Sequence, residues 1–140
     1  MPLLTIELME GHGPDTYRAL IERCTALYAE RLSAPIERFR TTINPVPVEC
    51  WGLGGVQAAE RVSPLITFEM LDGRPADLQL RLMAEMSALV AEILAIPISS
   101  TRVLIREFPA THWAIGGAPA NVVRAAEVEA RVAAKVAASR

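Results

Sequence analysis

Two stretches of the chain, residues 4–9 and 66–71, alternate apolar and polar side chains, and each ends in an acid–glycine pair, Glu10-Gly11 and Asp72-Gly73. That period predicts two strands with one buried face, each closed by a turn. Apolar residues then recur at helical spacing, as Leu20, Cys24, Leu27 and Leu32 in one segment and Leu78, Leu82, Met86, Leu89 and Ile93 in the other. Pro14 with Asp15, and Pro75 with Asp77, suit the opening turn of a helix, where a missing N–H costs nothing and a carboxylate meets the positive end of the dipole. Each helix is expected to stop just before Pro35 or Pro97, since a residue preceding proline is pushed out of the helical region. Residues 38–43 and 101–106, rich in β-branched and apolar side chains, are predicted strands. A helix between two strands implies a right-handed crossover and parallel pairing.

The two halves are copies. Pro2-Leu3-Leu4-Thr5-Ile6-Glu7 matches Pro64-Leu65-Ile66-Thr67-Phe68-Glu69, and the same ungapped offset pairs Gly11 with Gly73, Asp15 with Asp77, Pro35-Ile36 with Pro97-Ile98, Arg40 with Arg102, Trp51 with Trp113 and Gly54-Gly55 with Gly116-Gly117. About a third of the aligned positions are identical, which chance does not produce. The expected architecture is therefore α/β (α+β): one domain, 1–140, whose repeats 2–62 and 64–124 are tandem β-α-β units. Together they give a four-stranded sheet with two helices on one face. The uncovered face is expected to be open and apolar, and to bury itself by subunit association. Residues 121–138 lack turn residues and read as a C-terminal helix, a packing or solubilising extension with Val128, Val132 and Val136 along one side.

Composition narrows the function. The chain is 51% hydrophobic and 21% charged with a formal net charge of −2, so it offers no basic stripe for nucleic acid. Glu92 interrupts the best apolar run, so no membrane span is expected. Cys24 and Cys50 lack CxxC spacing and a set of histidines, which argues against zinc or a disulfide framework and for a reducing cytoplasm. No signal core follows the start, so the mature chain is expected to begin at its encoded start. The small residue after Met1 permits removal of the methionine, leaving Pro2 with a free secondary amine.

Pro2, the Glu10-Gly11 turn, Pro35, Arg40 and the Trp51-Gly52-Leu53-Gly54-Gly55 segment together resemble the tautomerase superfamily, in its 4-oxalocrotonate tautomerase branch. The segment from Pro64 to Gly117 resembles it equally, so the chain looks like a fused member with the tautomerase (MIF-like) fold. The resemblance implies a homotrimer of fused chains and a cofactor-independent isomerase. Such an enzyme ketonises a 2-hydroxy-dienoate or related enol acid, a small carboxylate, with Pro2 as general base.

Pro64 is a different case, because its nitrogen lies in a peptide bond and its lone pair is delocalised. One working proline per chain is expected. By the same resemblance Arg40 and Arg102 bind substrate carboxylate, Trp51 and Trp113 wall the pocket, and Trp113 is the preferred wall for Pro2. Arg74 matches a second carboxylate-binding arginine, but the first repeat has His12 there. If the Pro2 site draws on its own repeat, His12 must serve; if it draws on the other, Arg74 does. Relatives that hydrate halogenated acrylates carry a glutamate near the glycine hairpin, where Leu53 and Ile115 stand here. Alternative readings are promiscuous proline-dependent decarboxylation or carbon–carbon bond cleavage, and a non-catalytic small-acid-binding oligomer of the same fold.

Overall fold

A computed structural model describes residues 2–57 and 63–140; Met1, whose removal is expected, and the junction between the repeats lie outside the described residues. The first unit comprises β1 (Leu3–Met9), α1 (Pro14–Leu32) and β2 (Arg40–Val46), followed by a hairpin of β3 (Gly52–Leu53) and β4 (Val56–Gln57). The second comprises β5 (Leu65–Leu71), α2 (Ala76–Leu94) and β6 (Arg102–Phe108), with its hairpin β7 (Ala114–Ile115) and β8 (Ala118–Pro119). A short helix α3 (Ala120–Val123) and α4 (Ala125–Ala138) complete the chain.

The main sheet has the order β2-β1-β5-β6. Each repeat pairs its own strands in parallel, Leu3 with Arg40 and Leu65 with Arg102, while β1 and β5 join the repeats antiparallel, Leu3 opposite Glu69 and Glu7 opposite Leu65. The fold class read from the sequence is the one observed. The second strands differ in extent from 38–43 and 101–106. After Pro35 and Pro97 the chain first makes a single 3-10 turn, Ile36–Arg38 or Ile98–Ser100, which satisfies backbone groups locally before pairing begins. The strands then run as far as their partners allow, to Val46 and Phe108. Pro45 is tolerated because β2 is an edge strand, where a missing N–H breaks no ladder.

Both helices end in a left-handed residue, Ser33 (φ 49°) and Ala95 (φ 53°), and in both the next N–H folds back, Ala34 to Ala29 O and Ile96 to Ala91 O. This cap satisfies orphan carbonyls at a backbone cost that glycine would not incur. Alternate residues of the central strands, Leu4, Ile6 and Leu8 with Ile66, Phe68 and Met70, face Leu20, Cys24 and Tyr28 of α1 and Leu82, Met86 and Val90 of α2 in one core. Burial pushes the Cys24 thiol up to about 12, so it packs as an unreactive apolar group. The repeats fill this core unequally. Tyr28 packs edge-on against Phe39 and Phe68, at 4.9 and 4.6 Å between ring centroids, and its hydroxyl donates to Glu69 O at 3.2 Å; Val90 and Thr101 stand where Tyr28 and Phe39 stand in the first repeat.

Two expectations need correction. The uncovered sheet face is mixed rather than apolar: Thr42 donates to Thr5 across it, Arg106 pairs with Glu69, and Leu65 and Leu104 are exposed among them. The C-terminal segment is not one helix, because the backbone breaks at Arg124 (φ −123°, ψ 34°), with no Gly or Pro to announce it. Beyond the break α4 lies over the second repeat, where Val128 packs with Trp113 and Ile115 against Leu71, Ala110 and Ala120. Val132 and Val136 remain exposed. In both hairpins the paired glycines take positive φ (Gly54 62°, Gly55 79°; Gly116 59°, Gly117 84°), as a two-residue turn matched to strand twist requires.

Truncating the core ring in Tyr28→Ala should cost about 3–5 kcal/mol of unfolding free energy, whereas Tyr28→Phe should cost about 1 kcal/mol for the lost hydroxyl bond. Urea unfolding at fixed protein concentration measures both, and equal losses would contradict the packing described.

Candidate active site

The β1–β5 register fixes where the start of the chain lies. Because Leu3 is opposite Glu69, Pro2 falls beside the carboxyl end of β5, where Asp72 and Gly73 turn the chain into Arg74 and α2. Gly73 takes φ 90°, and Asp72 N–H donates to Phe108 O at 3.0 Å, holding that turn against β6. Pro2 O in turn accepts from Arg40 N–H at 3.2 Å, so the ring is tethered at the sheet edge and is half-buried.

Pro2 and Arg74 line one cavity of about 470 Å³. Its walls are the end of α1 with Pro35, then Arg38, Leu71 and Ile115, and on the last side Arg124, Glu127, Ala130 and Arg131 from the α3–α4 segment. Four guanidinium groups therefore face a space with a single carboxylate. Glu127 accepts two bonds from Arg38, at 3.0 and 3.2 Å, and lies 3.6 Å from Arg124 and 3.9 Å from Arg131. Arg74 has no such partner: its buried Nε finds no hydrogen-bond acceptor among the described residues. Desolvation, and after it the neighbouring charge of Arg131, pull the Arg74 guanidinium below the usual arginine value. Arg74 itself is half-buried; a buried guanidinium nitrogen left without an acceptor is costly, and an anion entering the cavity would relieve that cost.

The other residues singled out from sequence lie elsewhere in the single chain. Arg40 and Arg102, both exposed at the starts of the edge strands, turn back on their own loops, Arg40 to Glu37 O and Phe39 O, Arg102 to Ser99 O and Thr101 O. Trp113 packs edge-on against Phe108 at 5.7 Å and walls a neighbouring groove of about 450 Å³ with Leu3 and Ile115; Ile115 is common to that groove and the Pro2 cavity. Trp51, half-buried beside the first hairpin, reaches neither. His12 faces the start of its own helix, edge-on to Tyr17 at 6.3 Å. It follows the turn after β1, at the Pro64 end of the sheet. Pro64, unlike Pro2, is fully buried. Among the described residues no group of three or more His, Cys, Asp or Glu side chains is placed to hold a metal, and no helix is long and apolar enough to cross a membrane.

Sequence reasoning missed Arg38, Arg124, Glu127 and Arg131. The spacing of Arg124, Glu127 and Arg131 does put them on one helical face, but only the packing of α4 shows what that face meets.

The family model for tautomerase enzymes matches residues 2–61 and again 64–122. Over 60 residues the chain is 38% identical to 2-hydroxymuconate tautomerase of Comamonas testosteroni and 37% identical to that of Pseudomonas putida, in each case 43% of this chain and 95% of the relative. Among solved structures, native fused 4-OT superposes with a TM-score of 0.83 at 31% identity, covering 87% of this chain and 98% of that one. An asymmetric trimer of the fused 4-OT designated F6 gives 0.81, also at 31%, covering 86% and 98%.

Glu127→Gln should leave Arg38, Arg124 and Arg131 without their shared counter-charge and destabilise the fold by about 0.5–1 kcal/mol at low ionic strength. The loss should shrink in high salt, where the repulsion is screened. Thermal unfolding at two ionic strengths measures this; an equal loss at both contradicts it.

Proposed function

The chain belongs to the tautomerase family, and from that premise we propose that it ketonises a 2-hydroxy-dienoate or related enol acid with Pro2 as its general base. Tautomerase-type chemistry follows from the family; the substrate class and the residue roles are our reading. The observation that carries it is the cavity shared by Pro2 and Arg74, whose buried Nε has no hydrogen-bond acceptor among the described residues.

With Met1 removed, Pro2 carries a secondary amine. An α-amino group ordinarily titrates near 7.7–8.0, and cations close by disfavour its protonated form. Such a base takes the proton of the 2-hydroxyl group and returns it to a carbon further along the conjugated system. The hydroxyl becomes a ketone, a carbon–carbon double bond shifts, and no atom is gained or lost. Negative charge builds on the oxygen during transfer, and guanidinium groups stabilise it more than they stabilise the ground state. Arg74 binds the substrate carboxylate, while Leu71 and Ile115 give the cavity an apolar side, Ile115 being shared with the groove that Trp113 walls. The role His12 would have had in this site falls to Arg74 in the present reading.

Arg40 and Arg102 act, in this proposal, across subunit boundaries in a homotrimer. Their exposure on the two edge strands supports this, as do the trimeric fused 4-OT relatives. Pro64, buried and bonded through its nitrogen, contributes to structure alone.

In a ketonisation assay with 2-hydroxymuconate and phenylenolpyruvate, Pro2→Ala should lower kcat/KM by about 10²-fold or more. The wild-type kcat/KM should rise with pH through a limb below the ordinary α-amino range, because only the unprotonated amine is active. Arg74→Met should lower kcat/KM by about tenfold or more on 2-hydroxymuconate while leaving stability unchanged or raised, since a half-buried guanidinium whose Nε has no acceptor among the described residues is lost. Unchanged turnover in Pro2→Ala would overturn the assignment. Sedimentation should give three times the chain mass; a monomer would remove the proposed role of Arg40 and Arg102.

A further inference from the structure

The C-terminal helix does more than cover apolar surface. The family-model match ends at residue 122, yet Arg124, Glu127 and Arg131 beyond it line the Pro2 cavity. Arg131 is fixed there by its backbone: a Cβ built on Gly73 would lie 3.6 Å from Arg131 Cβ, so α4 rests on the turn that delivers Arg74. Its side chain is 22% exposed, and its ion pair with Glu127, at 3.9 Å, is too long for a hydrogen bond. The shorter contacts of Glu127 go to Arg38. Arg74, whose buried Nε has no acceptor among the described residues, and Arg131, whose carboxylate contact is the long Glu127 ion pair, are thus two cations facing one cavity. Like charges brought together at the edge of a core repel, and an acid group seated between them turns that repulsion into two charge-assisted attachments.

We propose that Arg131 is a specificity-determining residue, which together with Arg74 binds the distal carboxylate of a small diacid whose reacting end lies at Pro2. The inference rests on the reading of the cavity as the active site and adds to it an element the family match does not include. A monoacid lacks the group that Arg131 holds. Arg131 therefore selects between substrates and leaves proton transfer alone.

Two arms test this. In the first, kcat/KM of Arg131→Met is compared on 2-hydroxymuconate, a diacid, and phenylenolpyruvate, a monoacid. The diacid value should fall about tenfold or more, the monoacid value should stay within about twofold, and Arg131→Lys should recover part of the loss. The second arm uses calorimetric binding of adipate and hexanoate, which requires no turnover, and repeats it in Pro2→Ala. The wild type and Pro2→Ala should both prefer adipate by about tenfold, and Arg131→Met should lose that preference. Equal losses on both substrates would mark Arg131 as merely structural, and an unchanged preference, or none in the wild type, would equally overturn the proposal. Failure of Pro2 as the base would show in the kinetic arm alone and leave the binding arm standing.

Discussion

The antiparallel pairing of β1 with β5 governs the rest of the molecule. Parallel pairing within each repeat builds two half-sheets, but only the central seam, Leu3 opposite Glu69 through Glu7 opposite Leu65, makes them one. Because side chains alternate along a strand, a slip of one residue would turn Leu4, Ile6 and Leu8 out of the core, so the register is held by the whole buried face. The same register brings the start of β1 beside the carboxyl end of β5. Pro2 consequently lies beside the turn that carries Arg74, and the amino terminus of the first repeat lines a cavity walled by both repeats and by the α3–α4 segment.

Fusion makes two geometrically related ends unequal. At one end Pro2 leads into β1 and shares a cavity with Arg74; at the other, Pro64 lies in mid-chain, fully buried, with His12 following the adjoining turn. The asymmetry extends into the packing. Tyr28 and Phe39 fill the first half of the core where Val90 and Thr101 stand in the second, and α4 covers the second hairpin while Leu53 and Val56 of the first stay exposed. Cavity walls drawn from the α1 end, the β5 turn and the α3–α4 segment gather positive charge around the space that Pro2 lines, a setting that suits the proton transfer proposed for it.

Much of this was legible in the sequence because it is periodic. Alternation in β1 and β5, the helical spacing around Leu20 and Leu82, and the offset from Pro2 to Pro64 together give the four strands, the two helices and their order. Three features were not legible. The 3-10 turns after Pro35 and Pro97 depend on local backbone bonding that leaves no side-chain pattern. The open face was expected to be apolar from topology alone, but Thr5, Thr42 and Thr67 with Glu69 and Arg106 make it polar enough to stand against water or another subunit. The break at Arg124 and the entry of Arg131 into the cavity are tertiary: Val128 docks on Leu71 and Ala110, and the helix turns to let it. The sequence alone left the partner of Pro2 open between His12 and Arg74. In the fold, the residue that shares its cavity is Arg74.

The central proposal is that an unblocked Pro2 nitrogen, in a cavity that arginine side chains also line, is the working base. Labelling proline with 15N and following the amino-terminal nitrogen by NMR across pH tests it directly. The account predicts a secondary-amine resonance titrating below the ordinary α-amino range, at the midpoint of the acidic limb of kcat/KM. Fully active protein in which that nitrogen behaves as an amide, or titrates at or above the ordinary value, would contradict it.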